Sequence, residues 1–228
     1  MDMHDYRKAG GIAALIHSAA YLIGIGLYLS VLSPILDAEP TQYLALLGKY
    51  QGVMYAWIFI VYWLAALCLI VLALAFYERL KSRLHIGLQT ATVLGLVWAG
   101  LVIASGNLML HDFGQMAKLH AGNAGQAETV WLALMNVENG LVSGNELIGG
   151  LWVLAVSWFA LQARWLPRLL HYLGLLVGLV GILSIIPSLS DVVMVFGPAM
   201  IVWSAWVGIA MLRSRSRDPL RFEGSQPG

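Results

Sequence analysis

Six apolar stretches, at roughly 11–33, 52–76, 86–110, 141–161, 169–187 and 192–212, limit what this chain can become more than any other feature. A helix needs about 20 apolar residues to cross ~30 Å of hydrocarbon. In lipid, only segments that satisfy their own backbone hydrogen bonds can make that crossing. The pattern predicts an all-α polytopic integral membrane protein: six transmembrane helices in an antiparallel bundle, forming a single domain over 1–212. A polar tail, 213–228, follows. Composition excludes the alternatives. Apolar types make up 60% of the residues and charged types only 11%, too few charges to coat a soluble surface and the opposite of a disordered composition. The net charge of +1 offers no field for nucleic acid. Cys68 is the only cysteine and can form no internal disulfide. The first stretch is longer than the apolar core of a signal peptide and lacks a clean cleavage site, so it reads as an uncleaved first span.

Basic residues set the expected direction. Arg7 and Lys8 precede span one, and Arg79, Lys81 and Arg83 separate spans two and three. Arg164 and Arg168 separate spans four and five, and Arg213, Arg215, Arg217 and Arg221 follow span six. Of the 13 basic residues only Lys49 and Lys118 fall on the opposite side. Positive residues near span ends are retained in the cytoplasm, which predicts that both termini are cytoplasmic. The connections on that side, 77–85 and 162–168, are short and force antiparallel neighbours. The longer connections, 34–51 and 111–130, are expected outside. No repeat relates the two halves, which weakens an inverted-repeat transporter reading.

Two packing signals stand out. Gly174, Gly178 and Gly181 mark one face of span five, and Gly140 with Gly144 opens span four. Small residues at this spacing let helix backbones approach closely, within one chain or in a homo-oligomer. Tyr50 and Trp131 outside, and Tyr77, Trp165 and Tyr172 inside, sit where interface belts belong. Trp98, Trp152, Trp203 and Trp206 instead fall near mid-span. They read as filling for the bundle interior or as lipid-facing rings, the alternative being a stacking wall for a flat or cationic ligand.

Polar groups within apolar segments need a partner, a wet cavity or a function. The densest cluster runs from the end of span three into span four. Asn107, His111, Asp112, Glu138, Asn139, Asn145 and Glu146 are the candidate ligand-binding residues. Asn107 and His111 are one helical turn apart. If the helix is continuous, Asn136, Asn139, Ser143 and Gly150 form one stripe, and Glu138 and Asn145 lie on another side. Such a segment must be surrounded by protein or broken at Gly140 or Gly144. Glu146 lies about five residues inside its span, roughly 7–8 Å below the outer edge. A carboxylate there needs a cation or donors, for which Asn107, Asn145 and His111 are available. It is either a functional carboxylate or a hydrogen-bonded node clamping spans three and four.

His111, His120, Glu138 and Glu146 offer enough nitrogen and oxygen ligands for a divalent metal, but no tight metal spacing links them. The expectation is therefore no cofactor, with a divalent metal as the alternative. His17 and Tyr21 are expected as further buried polar residues on an inward stripe with Gly24 and Tyr28. No histidine at matching depth pairs with His17 to hold a haem. Ser143 lacks a base in the later spans, so a serine nucleophile is set aside.

The stretches 95–106 (GLVWAGLVIASG), 129–133 (TVWLA), 144–154 (GNELIGGLWVL) and 166–178 (LPRLLHYLGLLVG) carry a likeness to known chains. Together they resemble the bacterial six-helix membrane proteins grouped as domain-of-unknown-function family 4386, most strongly over 88–212. The resemblance implies a multi-pass protein of the bacterial plasma (inner) membrane and brings no established activity. Three functions remain open. The chain could bind or transport a small polar or amphiphilic ligand in an outward-facing polar cavity between spans three and four. It could be a non-catalytic accessory or assembly subunit. It could be a membrane enzyme, metal-dependent or not, acting on a lipid-soluble substrate. The expected partners are the lipid bilayer and a small ligand, not nucleic acid.

Overall fold

The computed structural model describes residues 3–81 and 86–214, without the side chains of residues 3, 4, 142–144, 187 and 190. Among the described residues there are helices and turns but no strand. The helices are α1 (Asp5–Leu36), α2 (Pro40–Leu80), α3 (Ile86–Gly122), α4 (Ala124–Gln162), α5 (Arg168–Leu183) and α6 (Val193–Arg213). A 3-10 turn, Pro187–Val192, joins the last two. Five of these helices are long and apolar enough to cross a membrane, and α5 is a shorter apolar helix of 16 residues. The expected fifth span ran to 187. The helix stops at Leu183, where Ser184 Oγ donates to the Gly181 carbonyl at 2.8 Å and the chain tightens into the 3-10 turn.

The expected outer connections are corrected by the structure, because both are largely helical. α2 begins at Pro40, whose fixed φ suits the first helical turn. α3 runs 37 residues, roughly 55 Å at 1.5 Å per residue, and α4 runs 39. They meet at Asn123, whose side chain caps α4 by accepting from the Gln126 amide at 3.1 Å. A break at Gly140 or Gly144 does not occur, and the α4 backbone is continuous through both. The extensions hold together through an apolar core of their own. Leu32 and Ile35 of α1, Leu44 and Leu47 of α2, Phe113 and Met116 of α3 and Ala127 of α4 are all buried in it. Trp131, expected in a lipid belt, packs here against Tyr43 with ring centroids 5.1 Å apart.

Each helix packs against its neighbours in sequence, and α6 closes back on α1, giving a ring of six. Two contacts bring backbones together. A Cβ on Gly150 of α4 would stand 2.7 Å from the Gly178 carbonyl oxygen and 2.8 Å from the Ile182 nitrogen of α5. A Cβ on Gly208 of α6 would stand 2.8 Å from the Gly11 carbonyl oxygen of α1. The span-five glycines are thus spent inside the chain, and Gly140 meets nothing within 4 Å. Gly144 and Ser143 lie outside the described side chains.

One half of the ring's interior is filled by rings from four helices. Trp98–Trp152 centroids are 5.8 Å apart, Trp152–Trp203 5.9 Å and Phe76–Trp203 6.2 Å. Trp206 packs partly buried against this cluster. Trp165 is also buried, beside Phe76 and under the Arg79 guanidinium, where a lipid belt had been expected. The outer face of the ring is apolar: Leu22, Leu67, Val93, Trp158, Leu176 and Val202, one from each helix, are at least half exposed, as a lipid-facing surface requires.

Most of the described cations collect at one end. Arg7 Nη1 donates to Ser214 Oγ at 3.4 Å, Arg79 lies over Trp165, and Gly10 abuts Ala75 and Met211. These contacts bring together the start of α1, the ends of α2 and α6 and the turn after α4. Lys49 and Lys118 lie toward the opposite end, on helices joined through the second core. Arg83, Arg215, Arg217 and Arg221 lie outside the described residues.

The backbone contact between α4 and α5 sets an expected outcome. Gly150→Ala forces the helices apart and lowers stability by about 1–3 kcal/mol. Gly100→Ala, where a Cβ meets nothing within 4 Å, gains up to about 1 kcal/mol from reduced chain entropy. Thermal unfolding of both variants in detergent measures the difference. Equal melting temperatures would remove the close contact from the account.

Candidate functional site

The other half of the ring's interior holds a cavity of about 210 Å³. Five helices line it: His17 and Tyr21 from α1, Val61 and Tyr62 from α2, Trp98 and Val102 from α3, Asn145 and Glu146 from α4, and Val193, Phe196, Gly197 and Met200 from α6. Trp98 belongs both to the cavity wall and to the indole cluster. Local irregularity shapes the wall. α2 widens into a π-helical turn at Phe59–Leu64, which carries Val61 and Tyr62, and such turns gather at functional sites. The π turn is anchored to α1, because Trp57 Nε1 donates to the Gly24 carbonyl at 3.0 Å and Val61 packs directly on Gly24. Pro198 in α6 removes one backbone donor next to Gly197.

Three polar side chains at the cavity are incompletely used. His17 is 1% exposed and lies edge-on to Tyr21 at 4.9 Å, and its Nδ1 is buried with no partner. Asn145 is 8% exposed. Its Nδ2 donates to Ser105 Oγ at 3.1 Å, tying α4 to α3, while its Oδ1 is buried with no partner. Among the described residues, no hydrogen bond or ion pair reaches the Glu146 carboxyl. Buried polar atoms without partners carry a desolvation cost that a bound group can offset.

The candidate residues named from sequence occupy three separate places. Asn145 and Glu146 share the cavity with His17 and Tyr21. Asn107 and His111 line an open groove beside Lys118. Asp112 and Glu138 meet in a tight crevice with Tyr43 and Trp131. Asn139 is exposed on α4. Neither Asn107 nor His111 lines the cavity, so of the donors expected for Glu146 only Asn145 stands beside it. Among the described residues no three of His, Cys, Asp and Glu stand close enough to share a metal ion. His111, His120, Glu138 and Glu146 are not one ligand set. Tyr62, Val102 and Met200 were not singled out in the sequence. No local signal marks them, since a π turn and the closure of α6 on α1 decide that they face the cavity.

The crevice has an electrostatic character of its own. Asp112 and Glu138 lie beyond the apolar segments 86–110 and 141–161 and line the same crevice. Burial, followed by the neighbouring Asp112 charge, pushes Glu138 up to about 7. Burial also raises Asp112, against the opposing influence of His111. Burial and the neighbouring charge thus favour the protonated form of Glu138.

Comparison of the chain with protein-family models, curated proteins and solved structures finds no match.

A carboxyl whose value is raised on folding contributes stability that is complete below its unfolded value, near 4.5, and is lost as pH rises through about 7. The unaltered chain should therefore lose stability between about pH 5 and pH 8 relative to Glu138→Gln. The relative loss is on the order of 1 kcal/mol after screening by water at this half-exposed site. Melting curves of both proteins across that range test it, and parallel curves would remove the raised Glu138 carboxyl.

Proposed function

We propose that this chain is a six-span protein of the bacterial plasma membrane, with both termini cytoplasmic, that binds or carries a small polar or amphiphilic ligand. The observation that carries the reading is the cavity inside the helix ring, where Glu146, Asn145 Oδ1 and His17 Nδ1 have no partner among the described residues. A purely structural polar node would close its hydrogen bonds internally. Asn145 does so on one side only. The direction of the ring supports access from outside. Most of the described cations mark one end, the indole cluster blocks the interior toward it, and the cavity lies in the opposite half. The cytoplasmic retention of cations near span ends supports an inside position for that end. The accessory-subunit reading draws support from the glycine contacts and the Asn145–Ser105 bond, both of which hold the helices together.

Cysteine accessibility separates the two. With Cys68 replaced by Ala, Tyr21→Cys in right-side-out vesicles should react with a membrane-impermeant maleimide, and Ser214→Cys should react only after permeabilisation. A Tyr21→Cys thiol that stays silent from both sides would favour the accessory subunit. A Ser214→Cys thiol labelled from outside would invert the topology.

A further inference from the structure

The cavity's chemistry narrows the ligand class, an inference that rests on the cavity being a ligand site as proposed above. Its fixed acceptors are the Asn145 carbonyl oxygen and the Glu146 carboxyl, while His17 and the Tyr21 and Tyr62 hydroxyls can accept or donate. The Asn145 amide nitrogen is committed to Ser105, leaving the carbonyl oxygen as the free end. Glu146 contributes a carboxyl with no partner among the described residues. His17 adds an unpartnered ring nitrogen. Among the described residues no lysine or arginine lines the space. An anion would meet Glu146 with nothing to balance it, and a burial cost of that kind is prohibitive. A metal ion would find one carboxylate where it needs several hard ligands. The walls are the faces of Tyr21, Tyr62, Trp98 and Phe196 together with aliphatic side chains. Aromatic walls around a carboxylate attract an organic cation through both charge and the ring quadrupole. The volume of about 210 Å³ exceeds the ~150 Å³ that accommodates a benzene ring.

We infer that the cavity is a binding site for a small organic ammonium ion with an apolar body, a protonated primary or secondary amine whose N–H groups face Glu146, Asn145 Oδ1 and His17. Glu146 is the counter-ion. Asn145 and His17 position the ammonium, and Tyr62 and Trp98 flank the apolar part.

Isothermal titration of the full chain in phosphatidylcholine nanodiscs, with empty nanodiscs as baseline, tests this using four probes of one shape. These are phenethylammonium, its N-trimethylated form, phenethyl alcohol and 3-phenylpropionate at pH 7. The primary ammonium should bind saturably and at least tenfold more tightly than the alcohol. The trimethylated ion should bind more weakly than the primary one because it lacks N–H donors, and the carboxylate should not bind. Glu146→Gln should weaken the ammonium at least tenfold and leave the alcohol within twofold, with an unchanged melting temperature showing that it folds. If the variant does not fold, the four-probe comparison on the unaltered chain decides. Equal affinity for ammonium and alcohol, or for primary and trimethylated ions, overturns the ligand class while the cavity remains a ligand site. Binding of no probe, with a Tyr21→Cys thiol closed to labelling, overturns both.

Discussion

Backbone contact between helices, at Gly150 with Gly178 and at Gly11 with Gly208, is the interaction on which the remaining architecture depends. Apolar side chains gain nothing by leaving lipid for one another, so helices in a bilayer associate through close packing and polar contacts. Here those contacts draw α4 onto α5 and α6 onto α1. The ring closes around a space that side chains must fill. Large indoles fill one half. The other half is bounded by aromatic and aliphatic side chains from five helices and by a π turn in the α2 wall, and a cavity remains.

Closure of the ring also sorts the chain's few charges. Cations crowd the end where α1 begins and α6 finishes, held by Arg7 with Ser214 and Arg79 over Trp165. The turn between α4 and α5 at this end is tight enough to hold Arg164 and Leu166 at φ of 52° and 66°, a region most side chains avoid. His171 fastens it by donating from Nε2 to the Trp165 carbonyl. The opposite end carries Asp37, Glu39, Asp112, Glu128 and Glu138 on helices that extend past the apolar segments over a second core. The cavity lies between a plugged cationic end and an extended, mostly acidic one. That polarity suits the entry of a cation.

The helical class and the approximate position of every apolar segment were legible in the sequence, because a 20-residue apolar run has few other uses. So was the buried character of His17. The helical extensions were not. The segment 111–130 contains Gly114, Gly122 and Gly125 among polar residues, and a hydropathy reading registers the absence of a span there rather than the presence of a helix. Asn123 followed three residues later by Gln126 was the cap signal available. The grouping of candidate residues failed for a different reason. Proximity in sequence placed Asn107, His111, Glu138 and Glu146 together, but α3 and α4 are antiparallel and long. Side chains on different faces and at different depths then reach three separate environments. The residues that share the cavity with Glu146, His17 and Tyr21, come from the far side of the ring, and only tertiary closure reveals them.

An experimental structure determined in lipid would test the central claim most directly, through the density beside Glu146. The account predicts non-protein density, ordered water or a bound cation, within hydrogen-bonding distance (about 2.7–3.2 Å) of the Glu146 carboxyl and Asn145 Oδ1. A collapsed interior in which both atoms bond to protein groups, or a dry void beside them, would contradict it.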